Sequence, residues 1–333
     1  MMVLVYALGT VLLTILSTIL IIKYPISISK PTARGLHDEP IPSSGGIALL
    51  LSYISVSLLA VLTMGHSITL SSMILILIFG TLLGYLDDKY YLSKLIRFAS
   101  QFVFALWIVS LNIELSIFLK IVWVLFIVYL INIYNFMDGI DGLATAQAIF
   151  VLLSMSILDY YYSIGHLIIF IIPLVVFLFF NISPAKIFLG NAGSYLIAIL
   201  LSILFYKGSI LDSNLANINY FASMLILLTV FICDATYTLI SRFINQYNKS
   251  NFNLKQSLIK ITTAHRLHNY QIMTIANNNH NKTTLQIMLY NFFWCLPLAY
   301  LLQIYEHLTL FFLFSSYLPY LILCYKNKSG IEK

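Results

Sequence analysis

The sequence contains little charge. Only 9% of its 333 residues are Asp, Glu, Lys or Arg, whereas 60% are hydrophobic. So few polar side chains cannot cover the surface of a soluble globule. Apolar stretches recur along the chain, each close to the roughly 20 residues that a helix needs to cross about 30 Å of hydrocarbon. The composition therefore predicts an all-α, polytopic bundle of helices in a lipid bilayer.

Cysteine is also scarce, and basic residues are not clustered. Cys233, Cys295 and Cys324 lie far apart without a CxxC pair, which argues against a disulfide framework. The basic residues are spread over short loops and form no patch interleaved with aromatics, so nucleic acid is not expected as a partner. The first apolar run, Met2 to Ile22, has no preceding positive residue, and we expect it to remain as an uncleaved span.

The distribution of positive charge predicts the topology. All 18 Lys and Arg residues except Lys120 and Lys207 lie on or next to one side, which the positive-inside rule places in the cytoplasm. The N-terminus is then outside and the C-terminus cytoplasmic. We predict a single transmembrane domain over 1–333, with cytoplasmic loops at 23–44, 87–94, 135–142, 182–192 and 239–284. The eleven spans are centred near 2–22, 45–64, 71–86, 95–111, 118–134, 143–158, 164–181, 193–207, 218–238, 285–304 and 308–325.

Two carboxylates are adjacent at the end of the third predicted span. Asp87 and Asp88 repel each other and are costly to desolvate, so the pair is expected to hold a proton or recruit a cation. Oxygen ligands suit Mg²⁺, above all where substrate phosphates complete its coordination shell. The alternative is a solvated helix end that is capped by charge.

A second polar run separates the fifth and sixth predicted spans. Asn132, Asn135, Asp138 and Asp141 recur at every third residue, which would align them on one face of a helix. The glycines of the same run favour a turn instead. In either case the four side chains converge on one surface, and a chance stripe is the alternative.

Two later segments suit phosphate groups. Residues 181–194 form a glycine-flanked polar turn that can present backbone N–H groups at a helix N-terminus, although a plain loop is the alternative. His265 and His268 have a spacing that zinc uses, but no third ligand lies nearby. Together with Arg266 they better fit a diphosphate, and a solvated basic loop near anionic lipid is the alternative.

Two features on the same side complete the set. Residues 34–46 follow the first span and contain prolines and glycines that exclude a continuous helix. Asp234 lies inside the ninth predicted span, where an ionisable residue is a functional candidate by default.

These segments, in this order, resemble the polyprenyl-phosphate N-acetylhexosamine-1-phosphate transferase family. The matching segments are 34–46, the Asp87–Asp88 pair, 132–143, 184–190 and 265–271. They follow one another in the family's order and are distributed over nearly the whole chain. The resemblance implies a bundle of about ten or eleven spans whose cytoplasmic cleft holds Mg²⁺, a nucleotide and a lipid phosphate. The pattern of 265–271 is closest to the branch that initiates O-antigen or capsule chains.

The resemblance also implies roles for individual residues. Asn181 and Phe188 fall where the family contacts uridine, with Phe188 stacking on uracil, and we expect Asn135, Lys186 and Arg266 to bind the substrate too. The expected catalytic residues are Asp87, Asp88, Asp138, Asp141, His265 and His268, and the expected ligands of Mg²⁺, with Mn²⁺ as the alternative, are Asp88, Asp141 and Asn191. Asn191 is a departure, because the family usually has a metal-binding Asp there.

The implied reaction transfers N-acetylhexosamine 1-phosphate from a UDP-sugar to undecaprenyl phosphate and releases UMP. It would take place at the cytoplasmic face of a bacterial plasma membrane. A homodimer is compatible with this interpretation. Either a direct transfer or a covalent intermediate on Asp87 is compatible with the motifs. The alternative functions are a catalytically impaired member of the family, because of Asn191, and a cation-coupled transporter.

Overall fold

The computed structural model describes residues 2–31, 39–64, 68–111, 115–158, 164–210, 218–249, 253–254, 257 and 265–331. Helices dominate these residues, so the prediction of a helical bundle is confirmed in its main feature. The helices are α1 (Met2–Lys23), α2 (Gly45–Met64), α3 (Ile68–Tyr90), α4 (Lys94–Ser110), α5 (Ile117–Met137), α6 (Leu143–Ile157), α7 (Ile164–Asn181), α8 (Gly190–Ile210), α9 (Ile218–Leu227), α10 (Thr229–Lys249), α11 (Asn269–Asn277), α12 (His280–Tyr290), α13 (Leu296–Ile304) and α14 (Thr309–Lys326).

Short irregular elements interrupt this helical pattern. A π-helical segment, Asn291–Cys295, joins α12 to α13, and a 3₁₀ turn, Glu306–Leu308, precedes α14. The fold is not purely helical, because β1 (Ile28–Ser29) and β2 (Ile41–Pro42) pair antiparallel within the first predicted cytoplasmic loop.

Several helices are long and apolar enough to cross a membrane. Within the described residues there are four, namely Ile117–Met137, Gly190–Ser209, His280–Ile304 and Glu306–Lys326. A fifth is obtained if α9 and α10, which meet at an angle of 74°, form one broken span. The chain is thus a multi-pass membrane protein, while the eleven spans and the orientation of the termini stay predictions.

The chain divides into two compact units, which are described separately. The first contains residues 1–30 and 39–221, and the second contains residues 31–38 and 222–333. In the first unit α8 is the central helix, since α2, α3 and α5 all pack against it and its side chains are almost all buried. In the second unit α10 packs along α14.

Candidate active site

Asp88 lies against the N-terminus of α8 in the first unit. Its Oδ1 accepts a hydrogen bond from the backbone N–H of Asn191 at 3.2 Å, and its Oδ2 accepts one from Ala192 at 3.3 Å. The helices approach this closely because Gly84 has no side chain, and a Cβ there would overlap the Asn191 carbonyl. A carboxylate at this position satisfies N–H groups that have no partner within α8 and complements the helix dipole.

Asp87 has different partners from its neighbour. Its side chain is buried, and Oδ2 accepts hydrogen bonds from Asn191 Nδ2 at 3.0 Å and from Arg97 Nη1 at 3.4 Å. Arg97 belongs to α4, and the sequence analysis did not include it among the site residues. The available signal was a basic residue ten positions after Asp87, on the same predicted side of the membrane.

Asn191 connects three helices. Its Oδ1 accepts a hydrogen bond from Asn135 Nδ2 at 2.7 Å, while its own Nδ2 donates to Asp87. Asn135 lies in the last turns of α5 and also approaches Ser194 Oγ at 3.3 Å. The ends of α3, α5 and α8 are therefore held together through one side-chain amide.

A polar chain continues from this point into α4. Asn132 Nδ2 donates to Gln101 Oε1 at 2.7 Å, and Gln101 Nε2 donates to the Tyr195 hydroxyl at 3.1 Å. Buried amides need such partners, because an unsatisfied polar group in an apolar bundle is costly. Gln101 was not identified from the sequence either, since neither of its partners lies nearby along the chain.

The run of Asn132, Asn135, Asp138 and Asp141 is split between a helix and a turn. The two Asn residues lie on α5, which ends at Met137, and the two Asp residues follow in the turn before α6. That turn ends at Gly142, whose φ of +75° favours glycine. The sequence predicted either one helix face or a turn, and neither arrangement holds for all four residues.

The carboxylates in the last turn of α3 and in the turn after α5 interact electrostatically with one another. Burial raises the pKa of Asp88 to about 7, opposed by its two backbone hydrogen bonds and reinforced by the charge of Asp87. Burial likewise raises the pKa of Asp138, to which the charges of Asp88 and Asp141 add. Burial also raises the pKa of Asp87, and the neighbouring Arg97 guanidinium opposes this shift. A cation would relieve the repulsion in this acidic cluster, Asp87, Asp88, Asp138 and Asp141.

These oxygens fit magnesium better than a tightly chelated metal. Within the described residues, no three His, Cys, Asp or Glu side chains come together as a ready-made metal site. Mg²⁺ is usually held by one or two carboxylates together with substrate phosphates and water, so it does not require such a group. The acidic cluster therefore fits a Mg²⁺ ion that binds together with a phosphate-containing substrate.

The segment before α8 is fixed mainly by backbone hydrogen bonds. Asn181 is buried, and its amide accepts from Thr145 Oγ1 at 2.9 Å and donates to the Ile187 carbonyl at 3.0 Å. The N–H of Phe188 donates to the Pro42 carbonyl at 2.8 Å, while the Phe188 side chain is half-buried and Lys186 is exposed. Asn181 thus stabilises the loop, and the predicted uridine contacts of Asn181 and Phe188 stay predictions.

The two predicted histidines belong to the second unit. Their rings lie 5.0 Å apart between centroids, and His268 Nδ1 is 3.1 Å from Asp234 Oδ1. Burial lowers the pKa of His265 to about 3, with further lowering by His268 and Arg242. His265 is therefore neutral at physiological pH. Arg266 is half-buried in the same segment, and the predicted contacts of these residues with a diphosphate stay predictions.

Part of the first predicted loop is outside the described residues. Arg34, His37 and Asp38 all lie there, so of the predicted motif at 34–46 only the stretch from Glu39 onward is placed. Within that stretch the N–H groups of Gly45 and Gly46 donate to the carbonyls of Phe188 and Leu189, both at 3.0 Å. The predicted segments 34–46 and 181–194 are thus joined by backbone hydrogen bonds.

Comparison with known proteins gives a family match over part of the chain. Residues 68–209, which include the acidic cluster and Asn191, match glycosyl transferase family 4. The chain is 32% identical to a probable undecaprenyl-phosphate N-acetylglucosaminyl 1-phosphate transferase of Bacillus subtilis (strain 168), over 66% of this chain and 65% of that protein. It is 30% identical to the undecaprenyl-phosphate alpha-N-acetylglucosaminyl 1-phosphate transferase of Thermotoga maritima, over 55% and 58% of the two chains.

A third relative extends the range of prenyl carriers. The decaprenyl-phosphate N-acetylglucosaminephosphotransferase of Mycolicibacterium smegmatis is 27% identical, over 53% of this chain and 52% of that protein. The chain spans less than two thirds of the length of these three relatives. Over residues 68–209, the resemblance that the motifs indicated is confirmed by the match to glycosyl transferase family 4.

Proposed function

We propose that this protein transfers N-acetylhexosamine 1-phosphate from a UDP-sugar to undecaprenyl phosphate. The observation that carries the proposal is the acidic cluster around the N-terminus of α8, within the residues that match the family. The names of the relatives support a polyprenyl phosphate as acceptor and an N-acetylated amino sugar as donor. The geometry supports chemistry on phosphates through a bound cation, because carboxylates from separate segments meet near one helix end.

In the proposed reaction, an oxygen of the lipid phosphate attacks the sugar-proximal phosphorus of the UDP-sugar. A new P–O bond forms as the bond from that phosphorus to the bridging oxygen breaks, and UMP leaves with the bond's electron pair. The products are polyprenyl diphospho-sugar and UMP. Phosphoryl transfer depends mostly on alignment and charge stabilisation, so the protein has little covalent chemistry to perform.

Asp87 is the residue that we assign to orient the attacking phosphate or accept its proton. The Arg97 guanidinium at 3.4 Å and the Asn191 amide at 3.0 Å both stabilise its carboxylate form. Asp88 holds the start of α8 in place through its two backbone hydrogen bonds. A covalent intermediate would instead require Asp87 to attack the phosphorus itself.

Mg²⁺ would be held by Asp88 and Asp141, with the side-chain oxygen of Asn191 as a neutral ligand. When bound, it would supply positive charge to the diphosphate oxygens. The Asn191 oxygen already accepts a hydrogen bond from Asn135, so this residue would have to exchange that partner for the metal. Its neutral side chain is also the observation that favours the second candidate, a family member that binds substrate but turns it over poorly.

We place the reaction at the cytoplasmic face of a bacterial plasma membrane, where it would begin an O-antigen, capsule or other envelope polysaccharide. The positive residues of the predicted cytoplasmic loops support this orientation. The pattern of residues 265–271 supports a donor other than the muramoyl pentapeptide, such as a UDP-N-acetylhexosamine or its 6-deoxy relative.

The test is an assay of UMP release by the purified full chain in lipid nanodiscs. A panel of UDP-N-acetylhexosamines is supplied with Mg²⁺, with and without undecaprenyl phosphate, and Asp87→Asn serves as the inactive control. The proposal expects release of UMP only when the lipid phosphate is present. UMP release without the lipid would contradict it, whereas sugar-nucleotide binding without turnover would identify the impaired member.

A further inference from the structure

Asp234 is a buried carboxylate that the proposed reaction does not use. It lies in α10 with no exposed surface, and five groups of the second unit lie within hydrogen-bonding distance of its oxygens. Oδ1 accepts from the backbone N–H of Asn269 at 2.9 Å, and Oδ2 accepts from that of Tyr270 at 2.8 Å. The other three are His268 Nδ1 at 3.1 Å, the Tyr320 hydroxyl at 3.2 Å and Thr238 Oγ1 at 3.4 Å.

Two of these donors are the first N–H groups of α11. They have no partner inside that helix, and a carboxylate from another helix satisfies both. His268 is the residue that precedes α11, so Asp234 fixes both the start of the helix and the side chain in front of it. Capping alone does not explain the ring contact, because a capping carboxylate requires only the backbone N–H groups.

The hydrogen bond to His268 has a defined direction. An ionised carboxylate only accepts, so in a hydrogen bond between Asp234 Oδ1 and His268 Nδ1 the donor is Nδ1, although the His268 side chain also lies where it can accept from the Gln271 backbone N–H. In the neutral ring the proton is therefore on Nδ1, and Nε2 is the accepting nitrogen. The ring plane is held as well, since the His265 and Tyr270 rings stack near it at centroid distances of 5.0 and 5.7 Å.

We infer that Asp234 is the positioning residue for His268: it holds the ring through Nδ1 and fixes its rotation, so that Nε2 faces the substrate as an acceptor in the neutral ring and as a donor to the diphosphate in the charged ring. This rests on the proposed function and on the predicted contact of His268 with the substrate diphosphate. A carboxylate that holds a functional imidazole through its other nitrogen is a general device, and its removal typically lowers activity by about tenfold to a hundredfold.

The experiment is a double-mutant cycle on the full chain in nanodiscs. Asp234→Asn retains size and one acceptor oxygen but cannot satisfy every donor, and His268→Asn retains a donor near the Nδ1 position but removes Nε2. We expect Asp234→Asn to lower kcat/KM by about tenfold to a hundredfold. If Asp234 acts through His268, adding Asp234→Asn to His268→Asn changes kcat/KM by no more than about twofold. Losses that multiply would overturn the inference.

Two variants separate positioning from folding. Tyr320→Phe removes one donor to the same carboxylate and a hydrogen bond to Asn269 but keeps the Asp234 contact with His268, and we expect a smaller loss than with Asp234→Asn. Glu306→Gln removes an exposed carboxylate from the same unit, and we expect unchanged turnover. The melting temperature of each variant is measured alongside kcat/KM. If Asp234 had a purely structural role, the loss of activity would follow the loss of melting temperature in both Tyr320→Phe and Asp234→Asn.

A measurement on the unmodified protein remains decisive if Asp234→Asn does not fold. In protein with ¹⁵N-labelled histidine, the His268 signals are assigned by their loss in His268→Asn, and their shifts report which ring nitrogen carries a proton. A protonated Nδ1 supports the inference, and an unprotonated Nδ1 overturns it. The spectrum does not depend on turnover, so inactive wild-type protein would reject the proposed function without deciding the role of Asp234.

Discussion

Asn191→Asp is the substitution that most directly tests how charge is balanced in the acidic cluster. The Asn191 amide donates to Asp87 Oδ2 at 3.0 Å, and the substitution replaces this donor with a second carboxylate while hardly changing shape. A hydrogen bond to a charged group is worth about 1.5–3 kcal/mol. Two unit charges 3.0 Å apart repel by about 5 kcal/mol at an effective dielectric constant of 20, before any rearrangement or protonation.

These magnitudes predict two effects that depend on Mg²⁺. Without a divalent cation, Asn191→Asp should melt at a lower temperature, by about 3 °C for a chain of 333 residues if about 2 kcal/mol of the repulsion survives rearrangement. With Mg²⁺ the added charge attracts the metal, so the difference in melting temperature should shrink. We also expect the Mg²⁺ concentration for half-maximal activity to fall by about tenfold, which corresponds to about 1.4 kcal/mol, with the sugar preference unchanged.

The assay is therefore a melting series and a turnover series over the same Mg²⁺ concentrations. Asn132→Asp is a matched control, because the Asn132 amide belongs to the same polar chain but donates to Gln101 Oε1 and to the Val128 carbonyl rather than to a carboxylate. Its change in melting temperature should not depend on Mg²⁺. The reasoning is refuted if Asn191→Asp loses activity and stability equally at every Mg²⁺ concentration, since the site would then be built for a neutral side chain.

Three further predictions concern the same unit. Turnover should disappear in EDTA and return with Mg²⁺, and full turnover in excess chelator would exclude the metal. Asp87→Asn and Asp141→Asn should each lower kcat by orders of magnitude in protein that still purifies, whereas Glu306→Gln should leave kcat unchanged. A near-normal kcat in either Asp variant would show that the active site is not at the acidic cluster. Phe188→Ala should raise KM for the UDP-sugar by about tenfold to a hundredfold with little change in kcat, whereas Phe179→Ala, which removes an exposed ring, should leave KM unchanged.

The helical elements were largely predictable because hydropathy reports directly on burial in lipid. The fifth span, expected at 118–134, corresponds to α5, and the predicted polar loop after it begins within the last turn of that helix. The ninth span was predicted less well. The helix breaks between α9 and α10 without a Pro or Gly, and α10 continues to Lys249 because its polar side chains make an amphipathic helix rather than an apolar one.

The site was predictable in its residue types but not in its pairing. Asp87 and Asp88 are neighbours in sequence, yet one contacts Arg97 and Asn191 while the other contacts the backbone of α8. Such pairings depend on helix packing over about a hundred residues, and no local pattern encodes them. The role of Arg97 became visible only from the contact itself.

The same limit explains why the sequence did not separate two kinds of buried carboxylate. Asp88 lies at the end of α3 and Asp234 lies in α10, and a rule based on the cost of charge at or within a membrane selects both as functional. Their surroundings differ in the number of donors. Asp234 is within hydrogen-bonding distance of five, so its burial is compensated and it can act as a rigid support. Asp88 accepts two backbone N–H groups, and burial still raises its pKa to about 7, which leaves it responsive to a cation.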